Sequence, residues 1–356
     1  AEEGRTALRV DQVAWIITEA ERTQTPKVIY INLDDSLGEK DKHTRHLEPV
    51  DWFHDHAEST KRRPRFKNGF CYLVCTLRIG KMVVTVDLRL YLRAKTVRRL
   101  NRHRSPEQRI PFRSKNHLAR SILEALRPLL PQGWTIYVQF DSWYASEQLI
   151  KYVHRQGWHT TCGLKSNRKL NGKRLDQLDH ALRHKRYTPL TVTAADGNKT
   201  TYYVRETTGR LSHVPYDVRA FFSRRHPREK SPAYFMSTDL TRSAEQALQG
   251  YSGRWSCEVD NFYLKTQLGL ADFRVQSYEA VDKYTVVVLA TWVYVERRFE
   301  QERGTQIKTY GDLIRRHRDE HAVDWLTGAL EMMREVGDVQ QVLQHFLRLE
   351  SQPSTA

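Results

Sequence analysis

KVIYINLDDS, residues 27–36, and TIYVQFD, residues 135–141, decide the architecture of this chain. Each is a run rich in β-branched and aromatic residues that ends in a carboxylate: Asp34 and Asp35 in the first, Asp141 in the second. Runs of this kind suit central strands covered on both faces. Between them, residues 70–78 and 82–92 read as a strand pair around Ile79, Gly80 and Lys81. In the second of these, Val84, Val86, Leu88 and Leu90 alternate with Thr85, Asp87 and Arg89, which predicts one wetter face. Leu118, Ile122, Leu126 and Leu129 recur at helical spacing across residues 116–130, and Pro131 and Gly133 end that helix. A further helix over 146–156 stops at Gly157, and residues 158–164 form a fifth strand. The order is β-β-β-α-β-α-β. If the first and fourth strands pair in parallel, their terminal Asp residues come together.

Outward from this centre the pattern changes. Residues 7–22 read as a short amphipathic helix closed by Pro26. Residues 37–68 read as a long polar loop, and RRLNRHR, residues 98–104, as a basic one. From residue 166 the chain turns β-rich with basic edges. Residues 190–195 and 200–206 flank Asp196-Gly197, a hairpin signal. Residues 216–222 form another strand, and RRHPREK, residues 224–230, a basic loop. Residues 234–238 return to the core, and helical pattern dominates from Ser243 onward. The expected division is an N-terminal helical segment (1–26), a core in two parts (27–165 and 232–275), a β-rich insertion between them (166–231) and a helical C-terminal region (276–356).

Lys and Arg number 58 against 42 Asp and Glu, a net charge of +16. Such an excess draws polyanions, of which nucleic acid is the commonest. The hydrophobic fraction of 39% supports a real core and excludes a disordered chain. The longest apolar stretch, residues 286–295, falls short of the roughly 20 residues a membrane span requires and reads as core. Nothing resembles a signal peptide. Cys71, Cys75, Cys162 and Cys257 form no CxxC pair, which points to a reducing, cytoplasmic setting without a zinc site.

The chemistry concentrates in YSGRWSCEVDNFYLK, residues 251–265. On a continuous helix Tyr251, Arg254, Glu258 and Lys265 would fall within one narrow arc. A carboxylate flanked by two cations suits a site where metal and phosphate meet. The competing reading is a solvated face laced with i,i+4 charge pairs.

The Tyr-x2-Arg-x3-Glu-x6-Lys spacing resembles the YREK signature of DDE transposases of the insertion-sequence-four-like group. NLDDS at 32–36 and FDSWYAS at 140–146 are similar to the family's two Asp motifs, and the β-rich stretch before the Glu is a family feature. The strand order is that of the RNase H-like fold. The resemblance covers residues 27–300. It implies an α/β, RNase H-like mixed sheet flanked by helices, and a metal-binding triad of Asp34, Asp141 and Glu258. Tyr251, Arg254 and Lys265 are implied as DNA-phosphate contacts, with Trp255 as the aromatic beside the Arg. Neighbouring strand residues face opposite ways, so only one of Asp34 and Asp35 can enter the site. Asp34 fits Asp-x-Ser, and Asp35 is the alternative. Three carboxylates can hold two divalent metals, and oxygen ligands favour Mg²⁺ with Mn²⁺ as a substitute. The implied partners are double-stranded DNA at transposon ends and target, with the protein a homodimer when bound. A nuclease that cuts without integrating, and an inactive DNA-binding relic, are the alternatives.

Other clusters read more plainly. His54-Asp55-His56 suits a loop turn or a phosphate contact rather than a metal site. Lys40 and Lys42 either touch DNA or solvate a loop. RRPRFK (62–67) and RRLNRHR suit backbone binding without sequence readout. Asp87 reads as structural. The resemblance also implies an N-terminal helical DNA-binding domain. The 26 residues before the first strand show no helix-turn-helix, so end recognition is expected either in a domain outside this sequence or in the C-terminal helices (312–349).

Overall fold

The computed structural model describes residues 1–55, 58–60, 62–193, 197–304 and 306–347. They form two compact units, residues 1–293 and the described residues from 294 onward. The first unit opens with helix α1 (Glu2–Arg22) and strand β1 (Val28–Glu39). Strands β2 (Asp51–His54), β3 (Phe66–Ile79) and β4 (Met82–Tyr91) follow, then helices α2 (Ala94–Asn101) and α3 (Lys115–Leu126). Next come β5 (Thr135–Phe140), α4 (Glu147–Arg155) and β6 (His159–Leu164). A small hairpin, β7 (Lys169–Leu170) and β8 (Lys173–Arg174), leads to α5 (Leu175–Ala181). Strands β9 (Thr188–Thr193), β10 (Lys199–Arg210), β11 (Asp217–Arg224) and β12 (Ala233–Ser237) precede α6 (Ala244–Ser252) and α7 (Ser256–Thr266). Helix α8 (Tyr278–Glu302) runs into the second unit, which holds α9 (Tyr310–Val336) and α10 (Val339–Leu347).

β1 is the centre of a mixed sheet. It pairs antiparallel with β3 and parallel with β5, and β6 continues parallel to β5. With β4 outside β3, this is the RNase H-like strand arrangement expected from the sequence. Side chains alternate across a strand. Ile29, Ile31 and Leu33 of β1, with Ile136, Val138 and Phe140 of β5, enter the main core beside Val13 and Ile16 of α1, Ile122 of α3 and Ile150 of α4. Full burial of each such side chain stabilises by about 1.5–3 kcal/mol. The opposite face is polar. Tyr30 lies between Arg78 and Tyr137, and Asn32 between Thr76 and Gln139. α6 and α7 cover this face: Arg78 donates to the Gly250 carbonyl (2.9 Å), and Thr76 Oγ1 meets Cys257 Sγ (3.4 Å).

Several sequence expectations need correction. Residues 37–68 are not one long loop, because β1 runs on to Glu39, β2 occupies 51–54 and β3 starts at Phe66. The basic stretch from Arg98 is helical as far as Asn101, with Val97 buried on its inner side. The face of β4 that looked wetter is covered: Asp87 is fully buried and pairs with Arg9 (2.7 Å) and Arg89 (3.1 Å). Charge neutralisation by α1 is what lets this acid leave water. Residues 166–231 are β-rich as expected, and their strands β11, β10 and β9 join the same sheet in antiparallel order through β12, which pairs with β6. His56 and Asp196 lie outside the described residues. Asp55 is ion-paired with Lys67 (3.1 Å), and the His54 ring meets Phe66 edge-on. Lys40 folds back on Phe273, donating to its carbonyl oxygen (3.0 Å).

All four cysteines are free and buried. Among the described residues no helix is long and apolar enough to cross a membrane. Within the second unit, α9 opens with a Thr309/Asp312 capping box and closes at Gly337, whose φ of 68° favours glycine. α10 returns along α9 with Phe346 against Trp325 and Gly328.

Candidate active site

The parallel pairing of β1 and β5 sets Leu33 beside Phe140, so the next residues, Asp34 and Asp141, come side by side where β5 ends, while β1 runs on against β3 with Asp34 opposite Val74. Binding sites of open α/β sheets lie at such carboxyl ends. Asp34 is 8% exposed. Its Oδ1 accepts the Asp35 N–H (2.9 Å), and its Oδ2 accepts from Arg254 Nη1 at 2.6 Å. Burial and the nearby Glu258, Asp141 and Asp35 carboxylates push the Asp34 carboxyl up, while Arg254 pulls it down; the net shift is upward, to about 7. Asp141 Oδ1 accepts the N–H groups of Trp143 (2.8 Å) and Tyr144 (3.3 Å), which turns the chain sharply after β5.

Asp34 and Asp35 diverge as strand alternation requires. Asp35 faces away from Arg254, takes Lys115 of α3 as ion-pair partner and accepts from Tyr144 OH at 2.7 Å. Tyr144 stands three residues after Asp141, so Asp35 ties the end of β1 to the turn after β5. The sequence contained this signal inside FDSWYAS, but the Lys115 half of it comes from a distant helix.

The motif from Tyr251 to Lys265 does not lie on one helix. α6 ends at Ser252, a 3-10 turn occupies Gly253–Trp255, and α7 begins at Ser256. Glycine is a weak helix former, and here the backbone approaches Arg78 so closely that a Cβ on Gly253 would lie 2.4 Å from Arg78 Nε. The break aims the four residues separately. Tyr251 points inward, its ring against Phe235 and its hydroxyl donating to the Phe140 carbonyl at 3.3 Å, one residue before Asp141. Burial pushes its phenol up, so it stays protonated. Arg254 reaches Asp34 and lies 4.0 Å from Glu258 Oε1. Lys265 donates to Ser36 Oγ at 3.0 Å, near the end of β1. Trp255 projects outward, 67% exposed.

Arg254 thus brings Asp34 and Glu258 together, with Asp141 beside Asp34 across the parallel strands, but among the described residues no three His, Cys, Asp or Glu side chains are arranged to hold a metal ion. The physical reason is visible: a guanidinium occupies Asp34, and the Glu258 side chain, 43% exposed, turns toward it from the other side. The donor set itself suits a hard cation, being all oxygen with negative charge gathered around one buried carboxylate.

Comparison with known proteins places the chain in a family. The family described as "Transposase DDE domain" matches residues 113–294, a span that contains Asp141 and the whole Tyr251 to Lys265 motif, with Asp34 upstream of it. No curated protein matches the chain. Among solved structures, a cryo-EM structure of piggyBac transposase in a synaptic complex with hairpin DNA is similar at 12% identity and a TM-score of 0.46. The match covers 93% of this chain and 60% of that one. On the family match, this chain belongs to the transposase DDE domain family.

Proposed function

We propose that this chain is a transposase of the insertion-sequence-four-like group that cuts DNA at the ends of a mobile element and joins the freed 3′-hydroxyl to target DNA. The observation that carries the reading is the parallel register that sets Asp34 of β1 beside Asp141 at the end of β5, with Arg254 bound to Asp34 and Glu258 beside it. Asp34, rather than Asp35, is the proposed ligand, because Arg254 brings it together with Glu258, whereas Asp35 turns to Lys115 and Tyr144. Asp34, Asp141 and Glu258 would hold two Mg²⁺ ions, or Mn²⁺, which activate the attacking oxygen and stabilise the leaving one. Arg254, released from Asp34, would orient a phosphate at the cleaved end, and Lys265 and Ser36 would hold the backbone next to it. Tyr251 would act by fixing the Phe140 carbonyl and hence Asp141, and Trp255 would offer its exposed ring to DNA. The +16 charge supplies the sequence-independent part of the affinity. Two copies would act together on paired ends; the exposed Val323, Leu326 and Leu330 of α9 offer an apolar stripe for pairing.

The test is a joining assay with a pre-cut element end carrying a free 3′-hydroxyl and a supercoiled target. The reading expects metal-dependent joined product, lost in Asp34→Asn, Asp141→Asn and Glu258→Gln. Cutting without joining would favour a nuclease, and binding without either would favour a DNA-binding relic.

A further inference from the structure

The third parallel strand end adds a cation to the site. β6 lies parallel to β5, so the loop after it opens on the same edge as Asp34 and Asp141. Its end is packed tightly there: a Cβ on Gly163 would lie 3.1 Å from the Ser142 backbone nitrogen and 3.5 Å from Tyr251 OH. The loop, residues 165–176, reads KSNRKLNGKRLD. Its single acid, Asp176, already pairs with Arg174 at 2.6 Å.

Arg168 differs from the other cations of this loop. Lys165, Lys169, Lys173 and Arg174 are exposed, whereas Arg168 is half-buried and its Nε and Nη2 are buried with no hydrogen-bond partner. A half-buried guanidinium whose covered donors are unpaired within the protein can turn them outward to an anion. The loop is also held rigidly. Arg168 N–H donates to the Lys165 carbonyl (3.0 Å), the Arg168 carbonyl accepts from Leu175 N–H (2.9 Å), and Asp176 N–H donates to the Ser166 carbonyl (3.2 Å). Leu170 and Leu175, each 1% exposed, anchor the loop in the main core.

We infer that Arg168 is a DNA-backbone ligand, presented by the rigid loop after β6 to a phosphate of the strand that passes Asp141. This rests on the DNA-cleavage reading above and extends it to a residue outside the Tyr251 to Lys265 motif. Arg168 grips the strand from the β6 side while Arg254 approaches from the helix side, so the strand is held across the carboxylates from both flanks. Planar, bidentate binding suits an Arg here better than a Lys.

The test measures binding of a short fluorescein-labelled DNA duplex to full-length wild type, Arg168→Ala and Arg168→Lys across a range of NaCl, with thermal melts of each protein. Each neutralised phosphate contributes a slope of about −0.9 in log affinity against log salt. Arg168→Ala should flatten the slope by about that amount with its melting temperature unchanged, and Arg168→Lys should restore it. An unchanged slope in Arg168→Ala, with or without a fall in melting temperature, overturns the inference, because Arg168 is then a structural residue of the loop. If wild type shows no salt-dependent binding, the DNA reading itself falls and this inference with it. If wild type binds and only Arg168→Ala is unaltered, the DNA reading stands and this inference alone fails.

Discussion

Arg254 of the turn between α6 and α7 donates a 2.6 Å hydrogen bond to Asp34 of β1, joining two residues 220 positions apart. In this arrangement the guanidinium does the charge-balancing that a divalent cation would otherwise do. Arg254 and metal therefore compete for one carboxylate. Arg254→Ala should raise Mn²⁺ affinity of the DNA-free protein in mildly alkaline buffer by about tenfold, corresponding to about 1.4 kcal/mol, while lowering DNA cleavage. Isothermal titration calorimetry reads the first effect. Equal or weaker Mn²⁺ binding in the variant would show that Arg254 does not compete for the site.

Asp34 and Asp35 should separate cleanly in a paired substitution. Asp34→Asn should lose cleavage and lose less stability than Asp35→Asn, because Arg254 keeps Glu258, 4.0 Å away, as a counter-ion and the lost charge is one that burial and three carboxylates already disfavour. Asp35→Asn retains an acceptor for Tyr144 but leaves Lys115, 16% exposed, without its counter-ion. Removing one partner of such a pair costs about 2–3 kcal/mol, so its urea midpoint should fall markedly. If Asp35→Asn is as stable as wild type and Asp34→Asn cuts DNA normally, the two assignments are reversed.

How far the sequence could be read follows from where each contact originates. The apolar runs ending in Asp34 and Asp141 announce buried strands with carboxylates at their ends, and period-two patterning plus chain order suffices to place them side by side. The spacing from Tyr251 to Lys265 brings the right residue types together, yet it suggests a single helix face. The break at Gly253 depends on Arg78, a β3 residue 175 positions upstream, and local periodicity contains no trace of it. Asp87 looked partly wet for the same reason: Arg9 neutralises it from α1. The stretch 166–231 read as an insertion because its composition changes, whereas its membership of the sheet is decided by β12 closing onto β6. Propensity and pattern report local preference; these features are all set by long-range pairing.

Gly253→Ala tests the break directly. The added Cβ meets the guanidinium of Arg78 at 2.4–2.8 Å, and Arg78 is held in place by its bond to the Gly250 carbonyl and by its position 3.9 Å over the Tyr30 ring. Alanine favours helix over turn, so the substitution would gain locally and lose through crowding. The expected net is a destabilisation of about 1–3 kcal/mol, visible as a lower melting temperature, with cleavage reduced because Arg254 is re-aimed. Combining it with Arg78→Ala should recover part of the stability. A Gly253→Ala protein with wild-type melting and activity would mean that the turn is not held by Arg78.

Asp260 supplies a pH dependence. It lies on α7 two residues after Glu258, is 3% exposed, and accepts from Thr85 Oγ1 at 3.1 Å, which in turn accepts from Trp292 Nε1 at 3.0 Å. Burial pushes its carboxyl up to about 7, against about 3.9 in an unfolded chain. Between those values the folded state holds a proton that the unfolded state has released. Stability from this group is therefore full below the unfolded value and is lost as pH rises through about 7. Asp260→Asn presents a neutral side chain of the same shape and does not titrate. The stability of wild type minus that of Asp260→Asn should fall with pH across this window, by at most about 1.4 kcal/mol per pH unit, while contributions from groups common to both proteins cancel. Urea denaturation at a series of pH values gives the difference. A difference that stays flat, or rises, from acidic to neutral pH would show that Asp260 is buried as an ion.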